Sequence, residues 1–380
     1  MIDKVLVLDN SIYVTGSIRS IVSFAKSLSN QYCFEFAMNC SGDAASYVAR
    51  SGFVVHSVNF LELSKGWKSL RYPFSLIRNY RKIMNIVESS GVSIIHINDL
   101  YNQIGILIKI FLPNIPVIYH VRLLPDSYLR PIYSAFVTTL KIFADSIIYV
   151  SKAVGEKFHD CNKAILIYDA LNEPIRLPAK IYLTESSSFL FLYVGNYVNG
   201  KGHNHAIEAF AIVANSSPRV MLKFVGAGVS GELDPIYMKS LKARISELNL
   251  ESRVIFEGRV TDVEAAMKQA DAVINLSESE SFSMVCLEAL TYGLPLIVSD
   301  CGGPREIVEN EVCGFLVPNR NVDVAASVML RLVEDFNLCQ KLGNNGLIVA
   351  SSKFSIIESS KKLSDIYDRV SFRKQSTEQF

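Results

Sequence analysis

Thirteen short apolar runs, separated by longer amphipathic stretches, constrain this chain more than any other feature. The first seven are KVLVLD, CFEFAMN, FVVHSV, VSIIHIN, PVIYHV, SIIYVS and AILIYD. Helical periodicity recurs between them, at 18–28, 74–89 and 101–111. Past Tyr168 the pattern falters in DALNEPIRLPAKIYLTESSS, whose two prolines and serine run read as an interdomain linker. It restarts with FLFLYVG and continues through VMLKFVG, RVIFEG, AVINLS, PLIVSD and GFLVP. Strands this apolar need cover on both faces, so each series predicts a parallel sheet between helices. The expected fold is α/β: two doubly wound, Rossmann-like parallel-sheet domains facing a cleft. Ligands of such sheets sit at the carboxyl ends of the strands. The sequence places the first domain at 1–171, the linker at 172–187 and the second domain at 188–353.

A chain of 380 residues has room for two such cores. Its net charge of +1 gives no reason to expect nucleic acid as a partner. The seven cysteines are odd in number and form no Cys-x-x-Cys pair. They read as small buried hydrophobes in a reducing compartment, not as a disulfide frame or zinc site. MIDKVLVLDN has the pattern of a first strand, not of a signal peptide. The most apolar stretch, IGILIKIFLPNIPVIYHV, is broken by Lys109, Pro113, Asn114 and Pro116 and does not read as a membrane span. A cytoplasmic location is expected, with a peripheral place on the inner face of the plasma membrane left open.

Three strand-to-helix turns in the second half are rich in glycine. In LYVGNYVNGKGHNHAIEAF a strand ends at Gly195 and a loop sets Gly200 and Gly202 around Lys201. Gly226 and Gly228 follow the next strand, and Gly302 and Gly303 precede Pro304. Glycines let backbone approach a ligand, and helix N-termini attract anions. Lys201 therefore reads as a phosphate clamp, or else as a solvated lysine in an ordinary βα loop. SESESFSMVCLEALTYG holds Glu280 in a polar turn and Glu288 two turns into an apolar helix. A carboxylate buried there needs a partner. One reading is a salt bridge to a base such as Arg305. The other is a grip on the vicinal hydroxyls of a ribose.

This combination resembles the retaining glycosyltransferases of family 4, the group 1 family with the GT-B fold. The family pattern is a Glu-x7-Glu pair inside a stretch ending Glu-Ala-x-x-x-Gly-x-Pro, then Gly-Gly-x-x-Glu. Here it reads Glu280, Glu288, Ala289, Gly293, Pro295, Gly302, Gly303 and Glu306. The resemblance implies that the first domain faces the acceptor and the second holds a nucleotide-sugar. A final helix at 354–372 would cross back to the first domain, leaving a tail at 373–380. Glu288 would bind the ribose and Glu280 the donor sugar. Amides of Ser283, Met284 and Val285 would meet the sugar and diphosphate, and Lys201 would neutralise the diphosphate. The base would stack near Gly258, Arg259 and Val260. His120 matches a family histidine near the transferring sugar, with His96 the competing candidate, and Gly16 matches a glycine loop that approaches the diphosphate. Two positions depart from the pattern. Asn196 stands where the family has an arginine, so the leaving-group charge would fall to Lys201 and amides, with Arg122 or Arg259. Ser281-Phe282-Ser283 replaces Gly-Phe-Gly and trades backbone freedom for hydroxyls.

The implied activity is transfer of a sugar, with retention, from a UDP- or GDP-sugar to a saccharide or lipid-linked saccharide acceptor. The setting would be bacterial surface polysaccharide or lipopolysaccharide synthesis. The nucleotide-sugar is a co-substrate; no cofactor and no metal are expected, since no Asp-x-Asp precedes a donor site. The alternatives are a nucleotide-sugar 2-epimerase and a non-catalytic nucleotide-sugar-binding subunit. KGWKSLRYPFSLIRNYRKIM carries Lys65, Lys68, Arg71, Arg78, Arg81 and Lys82, and no acid lies between Glu62 and Glu88. With Trp67, Tyr72 and Phe74 it reads as a surface for an anionic membrane, or as a solvated helix face.

Overall fold

The computed structural model describes residues 2–61, 72–125, 130–171, 188–226, 228, 235–258 and 263–377. The expected linker therefore lies outside the described residues. The chain divides into two compact units, residues 1–172 with 356–380, and residues 173–355.

The first unit runs β1 (Lys4–Asp9), α1 (Gly16–Ser27), β2 (Cys33–Met38), α2 (Asp43–Arg50), β3 (Val54–Ser57), α3 (Tyr72–Ser90) and β4 (Ile94–Ile97). It continues through α4 (Ile104–Phe111), β5 (Val117–Val121), α5 (Arg130–Phe143), β6 (Ser146–Tyr149), α6 (Lys152–Gly155) and β7 (Ala164–Leu166). The strands form one parallel sheet in the order β3-β2-β1-β4-β5-β6-β7. β1 lies inside it, and Val5, Leu6, Val7 and Leu8 are wholly buried. That double cover is why the strand reads as unbroken apolar sequence. Thr15 caps α1 by accepting from the Ile18 amide.

The second unit runs β8 (Phe189–Val194), α7 (His203–Ser216), β9 (Val220–Val225), α8 (Pro235–Glu247), β10 (Val254–Glu257), α9 (Glu264–Gln269) and β11 (Ala272–Asn275). Then come α10 (Met284–Thr291), β12 (Leu296–Ser299), α11 (Pro304–Ile307), β13 (Gly314–Val317), α12 (Val322–Glu334) and α13 (Phe336–Lys353). Its sheet is parallel in the order β10-β9-β8-β11-β12-β13. Strand order thus reverses beside the first strand of each unit, at β1/β4 and at β8/β11, where open α/β sheets open a crevice.

The last helix, α14 (Ile356–Thr377), packs on the first unit. Leu363, Ile366, Tyr367 and Val370 join the core of Phe24, Phe34 and Phe36. The sequence ended this helix at Phe372. Arg373, Lys374 and Gln375 are good helix formers with no glycine or proline among them, and the helix runs on to Thr377. The cysteines also depart from expectation. Cys286, Cys313 and Cys339 are buried, but Cys33 and Cys40 are exposed, because one starts β2 and the other follows it.

Candidate functional site

In the second unit the loops after β8, β11 and β12 are laced together. Gly202 has φ +74°, and a Cβ there would come within 1.9 Å of the Leu276 carbonyl oxygen. Only glycine allows that turn and that approach. The Glu278 amide donates to the Gly200 carbonyl at 2.8 Å. The buried phenol of Tyr193 donates to the Lys201 carbonyl and accepts from the Leu276 amide. Burial raises the Tyr193 pKa, so the hydroxyl keeps its proton and remains a donor. On the other side, the Glu280 amide donates to Cys301 O at 3.2 Å and Gly303 donates to Glu280 O at 2.8 Å. A Cβ on Gly303 would lie 2.1 Å from Ser281 O, which gives the glycine pair its reason.

This lacing brings Lys201 and Glu280 together: Nζ lies 2.5 Å from Oε2, with both side chains partly exposed. Burial alone would lower the lysine's pKa, but the Glu280 carboxylate outweighs it and raises the pKa above the ordinary value. Lys201 is therefore a permanent cation, one residue before Gly202, which caps α7 at its N-terminus. A helix N-terminus beside a fixed ammonium suits a phosphate. Asn196, the position that departs from the family, is exposed.

Ser283 caps α10 with φ +85°, a backbone conformation that favours glycine. Its hydroxyl accepts from the Cys286 amide and from Asn275 Nδ2 at 3.0 Å. The serine keeps the turn that glycine makes and adds a side-chain clasp to β11. The amides of Met284 and Val285 lie in the first turn of α10, where N–H groups have no intrahelical acceptor. Glu288, the fifth residue of α10, is buried. Arg305, the base weighed as its partner, lies instead 3.3 Å from Asp300. Gly258 is exposed just past β10; Arg259 and Val260 lie outside the described residues.

In the first unit, the strand ends carry a buried polar cluster that the sequence reading missed. Asp9 closes β1 and accepts from the Ser11 amide and Asn98. Asn98 accepts from Arg122 Nε at 2.8 Å, and Arg122 Nη1 lies 2.5 Å from Asp169, which also accepts from Ser20. Asp99 has φ +132° and accepts from the Leu100 and Arg122 amides; burial raises its pKa to about 7. The signal was present, since KVLVLD, SIIHIND, VIYHVR and ILIYD all end in polar residues.

His120 is wholly buried against this cluster, 5.4 Å from the ring of His96. Burial first, then the Arg122 cation and His96, hold its pKa well below the ordinary histidine value. Its Nδ1 accepts from Arg122 Nη2 at 3.4 Å, and its Nε2 has no hydrogen-bond partner among the described residues. His96 is tied to Tyr367 of α14 at 2.8 Å, and its pKa falls to about 3 through burial and then Arg122. Arg122 corrects an expectation: it is buried and committed to Asp169 and Asn98, so it is no spare cation for a leaving group. Gly16 is the first residue of α1.

The chain has relatives with names. Over 330 residues it is 27% identical to an uncharacterized glycosyltransferase of Methanocaldococcus jannaschii, covering 84% of this chain and 85% of the relative. It is 30% identical over 196 residues to the Escherichia coli UDP-Gal:alpha-D-GlcNAc-diphosphoundecaprenol alpha-1,3-galactosyltransferase, covering 50% of this chain and 48% of that one. The fold is that of Anabaena HepE, crystallised with UDP and glucose, at a TM-score of 0.81, 21% identity, 96% of this chain and 99% of that one. Two parallel-sheet Rossmann-like domains of this kind make up the GT-B fold. Residues 179–348, which carry Lys201, Glu280 and Glu288, match the family model of the glycosyl transferases group 1, and these matches together support the group 1 glycosyltransferase superfamily.

Proposed function

We propose that the chain is a glycosyltransferase that moves a sugar with retention from a UDP- or GDP-sugar to a saccharide or lipid-linked saccharide. The setting is the making of bacterial surface polysaccharide or lipopolysaccharide. The observation that carries this reading is the Lys201–Glu280 pair, held at 2.5 Å over the carboxyl ends of β8 and β11. It fits a donor with two ends. The diphosphate engages Lys201, and Glu280, released from the ammonium, accepts from the sugar's hydroxyls. As the bond from anomeric carbon to oxygen breaks, the electron pair passes to the diphosphate. Lys201 and the amides of Ser283, Met284 and Val285 meet that charge. Glu288 accepts from the ribose, with the base near Gly258, Arg259 and Val260. On the first unit, the resemblance would make His120 a neutral donor toward the sugar through Nε2 and Gly16 the point where α1 meets the diphosphate. Asn196 adds no charge, so the cationic role falls to Lys201, with Arg259 the other cation of the set. The names of the E. coli relative and of HepE, one with a UDP-galactose donor and one with UDP bound, support a nucleotide-sugar.

The test is incubation with UDP- and GDP-sugars and an oligosaccharide acceptor, with the product's anomeric configuration read by NMR. The expected product keeps the donor's configuration, and its rate is unchanged by EDTA. Lys201→Met should lower turnover about 10²–10³-fold, the scale for losing one preorganised charge-stabilising group. Conversion of UDP-GlcNAc without acceptor would instead identify an epimerase. Donor binding without any turnover would identify a non-catalytic subunit.

A further inference from the structure

The N-terminal half of α3 is amphipathic the wrong way round. Its inward positions are Ser75 and Asn79, and Asn79 donates to Asn59 O at 2.8 Å. Its outward stripe carries Phe74, 77% exposed, and Ile77, 52% exposed. A surface helix ordinarily buries its apolar residues. Here the fold uses the polar ones and leaves a phenylalanine and an isoleucine to solvent, so folding alone gives no reason for them. Arg78, Arg81 and Lys82 stand exposed on the same turns, and no carboxylate among the described residues pairs with them.

The patch continues onto α4. The Phe111 ring packs 5.5 Å from Tyr80 of α3, and Ile110 and Phe111 are more than half exposed. α4 contains no acid, and α3 contains none before Glu88. Lys109 is spent on Asp145 at 2.7 Å. The result is a two-helix face on the first unit that mixes bases with apolar side chains.

We infer that this face docks on an anionic lipid surface, with Phe74, Ile77, Ile110 and Phe111 entering the headgroup boundary and Arg78, Arg81 and Lys82 meeting lipid phosphates. A bilayer is favoured over a protein by the mixing itself. Protein interfaces deplete charge from their apolar core and move it to a rim. At a bilayer, long basic side chains reach up to phosphates from the depth at which apolar ones are buried. Lys65, Trp67, Lys68 and Arg71 lie outside the described residues. The inference deepens the reading of the acceptor as lipid-linked, but it is tested by binding and not by turnover, so each can fail without the other.

The experiment is flotation of the full chain with vesicles of phosphatidylcholine, with and without phosphatidylglycerol. Binding is expected only with phosphatidylglycerol and should weaken as salt rises. Reversing Arg78, Arg81 and Lys82 to glutamate should weaken it roughly a hundredfold or more. Phe74→Ser with Phe111→Ser should weaken it about tenfold or more while leaving the salt dependence in place. Melting temperature and turnover on a water-soluble acceptor should hold in both variants, because every substituted side chain is exposed. Equal binding by parent and charge-reversed chains overturns the proposal. So does a parent that ignores lipid but dimerises in solution until Phe74 and Phe111 are replaced.

Discussion

Glu280 and Glu288 are neighbours in sequence with unlike surroundings, and their losses should differ in kind. Glu288 is buried in α10, and on the proposed reading Glu288→Gln would set a neutral amide opposite the ribose. Hydrogen bonds to a charged acceptor contribute about 1.5–3 kcal/mol, so UDP or GDP should bind roughly ten- to a hundredfold more weakly. Glu280→Gln uncovers Lys201 and should leave free-nucleotide affinity nearly intact while turnover falls. Calorimetric titration with nucleotide, beside melting curves, separates the cases. An unstable Glu288→Gln protein with normal affinity would return that residue to a structural role. Ser283 offers a second check at this scale. Ser283→Ala loses the cap and keeps the left-handed strain, so it should cost about 1 kcal/mol or more. Ser283→Gly loses the same cap but relieves the strain and should melt above the alanine variant. The two glutamates and Lys201 stood out in the sequence because their types and spacing match the pattern of the family it resembles, and the fold pairs Lys201 with Glu280. Tyr193 was not. It reads as one more aromatic in FLFLYV, and only the folded loops reveal its hydroxyl between Lys201 and Leu276.

At the scale of elements, α7 opens with a buried titratable group. His203 packs among Tyr193, Tyr197 and Phe224 at ring distances of 4.9, 5.2 and 5.4 Å. Burial, then Lys201, lowers its pKa to about 4. The unfolded chain would protonate it near 6.5, so the unfolded state binds more protons between those values. Stability from this site is complete above about pH 6.5 and is lost as pH falls toward 4, by up to about 3 kcal/mol. His203→Phe removes that dependence. The melting temperature of the parent should fall relative to the variant across this window, and a constant gap from pH 7 to pH 4 would dismiss the idea. Asp99 acts in the opposite sense in the first unit, since its pKa is raised to about 7; its stabilising share fades as pH rises from about 4 through 7. Strand existence was legible for all thirteen runs, because burial on both faces leaves a continuous apolar record. Helix faces were less so. α3 gave its basic residues to the sequence but not its inversion, since Ser75 and Asn79 point inward for reasons that lie in Asn59 and not in α3 itself.

Over the whole molecule, the first unit is built from two separated lengths of chain. α14 supplies Leu363, Ile366, Tyr367 and Val370 to its core, and Tyr32 donates to Asp368 while stacking edge-on with Tyr367 at 5.1 Å. Burying four such side chains stabilises by of order 10 kcal/mol, as much as a whole domain's net stability. A chain ending at Ser355 should therefore lose the first unit and keep the second. Limited proteolysis should leave a resistant fragment near 188–353 that still binds UDP, and equal protection of both units would contradict this account. The sequence showed a late helix but not its bed, which is assembled from residues more than two hundred positions earlier. That arrangement sets an order of events on the ribosome. Ile356 emerges 184 residues after Asn172, about ten to forty seconds later at ordinary elongation rates. For that interval β1–β7 wait with Tyr32, Phe34 and His96 uncovered, while the contiguous second unit completes itself. The nascent protein thus holds an apolar trough open until its lid is made, and that trough is where a chaperone would first find it.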